Sequence, residues 1–177
     1  QPQAAEPIPE TEVMIELTSA IAEEKEEAGP LDPTQVEQEA QTTLQRINRM
    51  GVSERVRLAL TGNKTERLVL IKDANKLVQS AVLDSPKMAV DEVIIHARNL
   101  SLPGEIIGKI ANNREWTKNY ALIQALVENP KTPVSRALSL VKQLHDRELK
   151  LLAKDRNVSP VIRALAQNLD QQKSKGK

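Results

Sequence analysis

The sequence predicts an all-α protein, a right-handed α–α superhelix of short helices with an acidic, disordered N-terminal tail. Three observations predict it. Apolar residues recur at helical spacing in consecutive short segments, and no alternating strand pattern of useful length competes. Every proline after residue 33 falls at a boundary between those segments. A block of 23 residues also returns, without a gap, 44 residues further along the chain.

Residues 1–12 (QPQAAEPIPETE) carry Pro2, Pro7 and Pro9 and little to bury, so they read as disordered or extended chain. Over 13–28, Val13, Leu17, Ala20 and Ile21 share one helical face, and Glu16, Glu23, Glu24, Glu26 and Glu27 lie outside it. Gly29–Pro30 ends the stripe. Two readings are open: a marginal acidic helix in the tail, or a linear motif that docks into a groove of this protein or a partner. Residues 1–31 are therefore assigned to the tail.

A lead helix follows over 32–51. Asp32–Pro33–Thr34–Gln35 supplies an N-cap acceptor, a first-turn proline and a capping-box Gln. Val36, Ala40, Leu44 and Ile47 form its buried face, and Gly51 is expected to close it in a left-handed conformation. The later segments span 53–61, 64–73, 75–84, 89–98, 103–112, 117–128, 133–144, 147–155 and 160–169. Ser53, Thr65, Asn75, Ser101 and Ser159 are expected N-caps. The array is drawn over 52–170, with a basic disordered tail at 171–177.

The recurring block pairs residues 75–97 with 119–141. Asn75/Asn119, Ala81/Ala125, Pro86/Pro130, Lys87/Lys131 and Val90/Val134 are identical, and the apolar positions between them keep their class. Helices this short do not persist alone in water, so each must bury its stripe on its neighbours. The period fits the roughly 40–47-residue units of armadillo- and HEAT-type solenoids. The stretch 125–168 resembles the bacterial leucine-rich repeat variant family and related HEAT-like repeats. Ala125, Asn129, Pro130, Thr132 and Pro133 carry the family-like turn, and Leu149, Leu152, Ala153 and Asp155 the following helix. Residues 113–133 look like a segment of bacterial solenoid proteins. The resemblance covers roughly 53–169 and implies a fold more than a function. Members of that family can carry a cysteine-rich iron–sulfur module, but this chain has no Cys, so no cofactor is expected.

The composition narrows the function. Among 177 residues there is no Cys and no Phe, one Trp and one Tyr. Disulfide frameworks, zinc ribbons and thiol nucleophiles are thereby excluded. No apolar run approaches the roughly 18 residues of a membrane span, and no secretory signal is visible, so a soluble cytoplasmic protein is expected. The chain opens QPQAAEP without Met, as a fragment or processed form would. Residues 1–30 hold eight Glu and one Lys, net −7, while 31–177 hold 24 basic and 16 acidic residues, net +8. An acidic arm is joined to a basic body.

No phosphate loop, nucleophile elbow or zinc-protease motif is present, and the reading is non-catalytic. His96 and His145 lie 49 residues apart. Glu92 and His96 are expected to pair on a helix surface, and His145 to be solvated in a turn. Gly104 and Gly108 are expected to permit close helix packing. The concentrated oddity is NNREWTKNY at 112–120. If it is helical, Trp116 and Tyr120 share a face flanked by Arg114 and Lys118. These four residues either fill a packing gap or form an aromatic–basic anchor for a peptide or protein partner. Base stacking is a third role. Arg147, Lys150 and Lys154, at i, i+3 and i+7, would line a helix face as a stripe for phosphate or an acidic ligand. The expected function is a protein–protein interaction scaffold or adaptor; its ligand is a protein or acidic peptide, the chain's own tail being one candidate. Nucleic-acid binding by the basic stripe is the alternative.

Overall fold

The structure, a computed structural model, describes residues 7, 8, 10–26 and 32–175. Among them are eleven α-helices and one short 3-10 turn, with no strand. The chain divides into two compact units, Gln1–Met88 and Ala89–Lys177, where the sequence reading draws one array over 52–170.

The first unit holds α1 (Glu10–Glu26), α2 (Pro33–Arg49), α3 (Val52–Thr61), α4 (Lys64–Leu70) and α5 (Lys76–Leu83). Asp32 caps α2, its Oδ1 accepting the Thr34 N–H at 2.9 Å, and Val36, Ala40, Leu44 and Ile47 are buried as a 3.6-residue period requires. The α2–α3 boundary differs from expectation. Met50 is the extended C-cap of α2, and Gly51 has φ −71°, so no left-handed residue is used. Gly51 instead opens α3, its N–H donating to the Glu54 carboxylate at 2.9 Å. Asn63, not Thr65, caps α4: its Oδ1 accepts the Glu66 N–H, and Glu66 returns a carboxylate oxygen to the Asn63 N–H. Asn75 caps α5 as expected.

Residues 10–26 correct the assignment of 1–31 to a disordered tail. The helix expected over 13–28 is found as α1, and it packs on both α2 and α4. Ile8, Val13, Leu17 and Ile21 are buried, which gives the segment the apolar contact an isolated acidic helix lacks. The remaining residues of 1–31, apart from Pro7 and Ile8, lie outside the described ones.

The second unit holds α6 (Val90–Arg98), α7 (Gly104–Asn112), a 3-10 turn (Trp116–Lys118), α8 (Tyr120–Glu128), α9 (Val134–Val141), α10 (Asp146–Leu152) and α11 (Pro160–Lys175). The helices pair as α6 with α8, α8 with α9, and α11 with both α9 and α10. Helix α11 runs to Lys175, so the basic tail placed at 171–177 is helical over its first five residues. The buried apolar side chains of both units are all Ala, Val, Leu and Ile, which suits thin layers of short helices. A Cβ on Gly108 would stand 3.3 Å from Pro133 Cγ, so this glycine lets α7 approach the turn before α9.

Side chains of two turns fasten to helix ends. In the first unit Ser85 Oγ donates to the Leu60 carbonyl at 3.0 Å, and Lys87 Nζ to the Thr61 carbonyl at 2.7 Å. In the second, Asn129 Nδ2 donates to the Ala97 carbonyl at 2.7 Å, and Lys131 Nζ to the Leu102 carbonyl at 2.9 Å. Each bond satisfies a carbonyl that its own helix or turn leaves open.

Candidate partner-binding surface

The segment 112–120 is not one helix. Asn113 ends α7, Trp116–Lys118 forms a single 3-10 turn, and Asn119 begins α8, its Oδ1 accepting the Ala121 and Leu122 N–H groups at 2.9 and 3.3 Å. Asn113 also turns back on the chain: its Oδ1 accepts the N–H of Glu115 at 3.0 Å and of Trp116 at 3.3 Å. These local bonds compete with helix propagation, so the expected shared face of Trp116 and Tyr120 on one helix is not formed.

The four residues consequently have different surroundings. Arg114 is exposed and Trp116 half-buried, and neither side chain has a hydrogen-bond or ionic partner among the described residues. Lys118 is exposed and pairs with Glu115 at 2.7 Å. Tyr120 is tied inward: its Oη donates to Glu148 Oε2 at 3.2 Å and accepts the His145 N–H at 3.0 Å. Its ring stacks on the His145 imidazole, centroids 4.4 Å apart at 26°. Desolvation raises the phenol pKa above its ordinary 10.0, and the His145 N–H opposes that rise; the Glu148 carboxylate adds to it and Lys173 works against it. His145 is exposed, as expected, but it has a partner that its distance from Tyr120 in sequence concealed.

Through Tyr120 the start of α8 meets the start of α10, which carries the second set of predicted residues. Arg147 and Lys150 lie on α10, but that helix ends at Leu152. Lys154 therefore sits in the following turn, and the i, i+3, i+7 face is not continuous. All three are exposed, with no carboxylate partner among the described residues. Lys173 of α11 is held by Asp146 at 2.9 Å.

Other charges of the basic body are internal. Arg55 and Arg67 are buried, and Arg67 donates to the Gly62 carbonyl at 2.9 Å. Glu92 and His96, expected on a surface, are both buried, because α6 turns that face towards the core. Among the described residues no group of three or more His, Asp or Glu is placed to hold a metal ion, and no helix is long and apolar enough to cross a membrane. Two hollows in the first unit, of about 190 and 390 Å³, include none of the predicted residues.

Fold and surface together define an all-helical protein with an aromatic–basic corner on its second unit. No family model, curated protein or solved structure matches the chain.

Proposed function

We propose that this chain is a non-catalytic interaction scaffold, an α-solenoid similar to HEAT-like and leucine-rich repeat variant proteins, which holds a peptide or partner protein on one face. The outward-lying Arg114 and half-exposed Trp116 carry the binding reading. An exposed guanidinium and a half-exposed indole with no bonding partner among the described residues are the side chains most enriched at interface hot spots. Tyr120 has a different role in the proposal: it braces the corner against α10.

The repeat reading is supported by what the identical residues do. Asn75 and Asn119 both cap helices, Ala81 and Ala125 are both buried, and Lys87 and Lys131 both bond a carbonyl of an earlier turn or helix end. The non-catalytic reading is supported by the engagement of polar side chains at helix ends. Asp32, Asn63, Asn75 and Asn119 cap, and Glu54 and Glu66 return to backbone N–H groups.

The test is partner capture by the wild-type chain, Arg114→Ala and Trp116→Ala, each checked for helix content. Loss of the captured partner from both variants supports the reading; undiminished capture by both removes these residues as anchors. A second reading, nucleic-acid binding, is favoured by Arg147, Lys150 and Lys154, exposed and without a carboxylate partner among the described residues. It predicts oligonucleotide affinity that falls steeply with salt, with a shallower slope once Lys150 and Lys154 are neutralised.

A further inference from the structure

We propose that the cleft between α2 and α4 of the first unit is a receptor for an acidic amphipathic helix of a partner protein, which α1 occupies in cis. The proposal deepens the partner-binding reading above and rests on it only in taking the chain as a binding protein. It uses none of the residues of the Trp116 corner, so either can fail alone.

Helix α1 packs on both α2 and α4. It presents Val13, Leu17 and Ile21, at i, i+4 and i+8, with Ile8 just before the helix, and all four are buried. Helix α2, on which α1 packs, has a buried stripe of its own in Val36, Ala40, Leu44 and Ile47. This is the anchor pattern of a helix laid in a groove.

Two polar contacts give the cleft a chemistry. Lys72, in the turn after α4, meets Glu16 Oε1 at 2.7 Å; the lysine side chain is 6% exposed and the glutamate 43%. With α1 in place the enclosed charge is that of Lys72, and α1 brings a partly exposed carboxylate to it. An ammonium shut away from water needs such an anion, and the cleft accordingly selects an acidic ligand. At the far end, Asn48 Oδ1 accepts the Ile8 main-chain N–H at 3.0 Å, holding the backbone ahead of the helix without reading a side chain.

The ligand chemistry is therefore explicit: apolar anchors at i, i+4 and i+8 and a carboxylate at i+3, on a helix of net negative charge. Helix α1 satisfies it with six Glu and one Lys. A helix in a protein draws most of its stability from packing its apolar face, so the folding of α1 and its docking are coupled. A tethered segment also acts at an effective concentration on the order of millimolar, and a partner helix must exceed that competition.

The experiment uses the full chain and a fluorescent peptide of residues 7–26. Leu17→Asp in the full chain disrupts cis docking, and this variant is expected to bind the peptide on the order of 100-fold more tightly than wild type does. Adding Lys72→Glu to the variant abolishes binding, and a peptide carrying Glu16→Lys restores it. Equal binding by wild type and Leu17→Asp, or no rescue by the reversed charge, overturns the proposal. Loss of helix content beyond α1 in Leu17→Asp also overturns it, because α1 would then be integral core. Hydrogen exchange on the wild-type chain gives an independent reading. Amides of α1 are expected to exchange through an opening that α3 and α5 do not share, and equal protection overturns the proposal. A wild-type dimer that exchanges α1 between copies overturns the partner assignment in favour of a second copy.

Discussion

Arg55 and Asp73 form an ion pair at 2.8 Å with side chains 0% and 1% exposed. The guanidinium also donates to the Ile47 and Asn48 carbonyls, each at 3.1 Å, and Asp73 Oδ1 accepts the Asn75 N–H at 2.7 Å. One buried pair therefore joins the end of α2, the body of α3 and the turn that starts α5. Asp73→Asn is expected to cost about 3–5 kcal/mol, because it leaves a buried guanidinium without its counter-charge. The double variant Arg55→Met, Asp73→Leu leaves no buried charge and is expected to lose less than the two single changes added together. Urea denaturation followed by circular dichroism measures both, and an Asp73→Asn midpoint equal to wild type contradicts the assignment.

Gly62 is required for space, since its φ of −64° suits any residue. An added Cβ would stand 2.6 Å from the Leu58 carbonyl oxygen and 2.5 Å from Glu66 Oε2. Glu66 cannot simply withdraw: it caps the Asn63 N–H and pairs with Arg46. Gly62→Ala should destabilise by about 1–3 kcal/mol through this overpacking. Gly51→Ala, whose Cβ meets its nearest atom at 3.8 Å, should lose less than Gly62→Ala when thermal melts of the two variants are compared.

Asn129 holds the Ala97 carbonyl with Nδ2 and the Lys131 N–H with Oδ1, the latter at 2.9 Å. Asn129→Ala leaves a carbonyl and an N–H without these partners and is expected to cost about 1–3 kcal/mol. Lys131→Met keeps the aliphatic stem but drops the bond to Leu102, an expected loss of about 0.5–1.5 kcal/mol. Chemical denaturation of both variants should show the larger shift for Asn129. The reverse order would mean that the lysine bond dominates the turn.

Tyr120 is the single tyrosine of the chain, so tyrosinate absorbance reports it alone. Its midpoint should lie above the ordinary 10.0, and Glu148→Gln should move it down. A phenol whose pKa is raised by folding binds its proton more tightly in the native state. Its contribution is complete below about pH 10 and is lost as pH rises through the folded value. Tyr120→Phe should remove that part of the alkaline loss of stability. A midpoint at or below 10 would show that the contacts with Glu148 and His145 do not persist in solution.

Helix positions were legible because their signals are local. Asp32–Pro33 marks the start of α2, Asn75 the start of α5, and the apolar period over 36–47 names the face that is buried. The break after residue 112 was legible in the segment boundaries, but the start of α8 at Tyr120 instead of 117 was not, because Trp116 and Tyr120 fit a helical spacing and the competing Asn113 bonds are visible only in the folded backbone. The candidate site was half legible. Its residue types stood out by rarity, but the inward tie of Tyr120 comes from His145 and Glu148, 25 and 28 residues later.

The sequence by itself determined an all-helical protein of short segments with an aliphatic core, since periodicity, caps and prolines act within a few residues of one another. Only the tertiary structure decided that the acidic N-terminal helix is packed, that Arg55 and Arg67 are buried, and that Glu92 and His96 face inward. Whether a charge is solvated or enclosed depends on neighbours brought in from distant parts of the chain. Lys72 shows the difference: a surface cation by residue type, it is enclosed in the fold and paired with Glu16 of α1, 56 residues earlier in the chain.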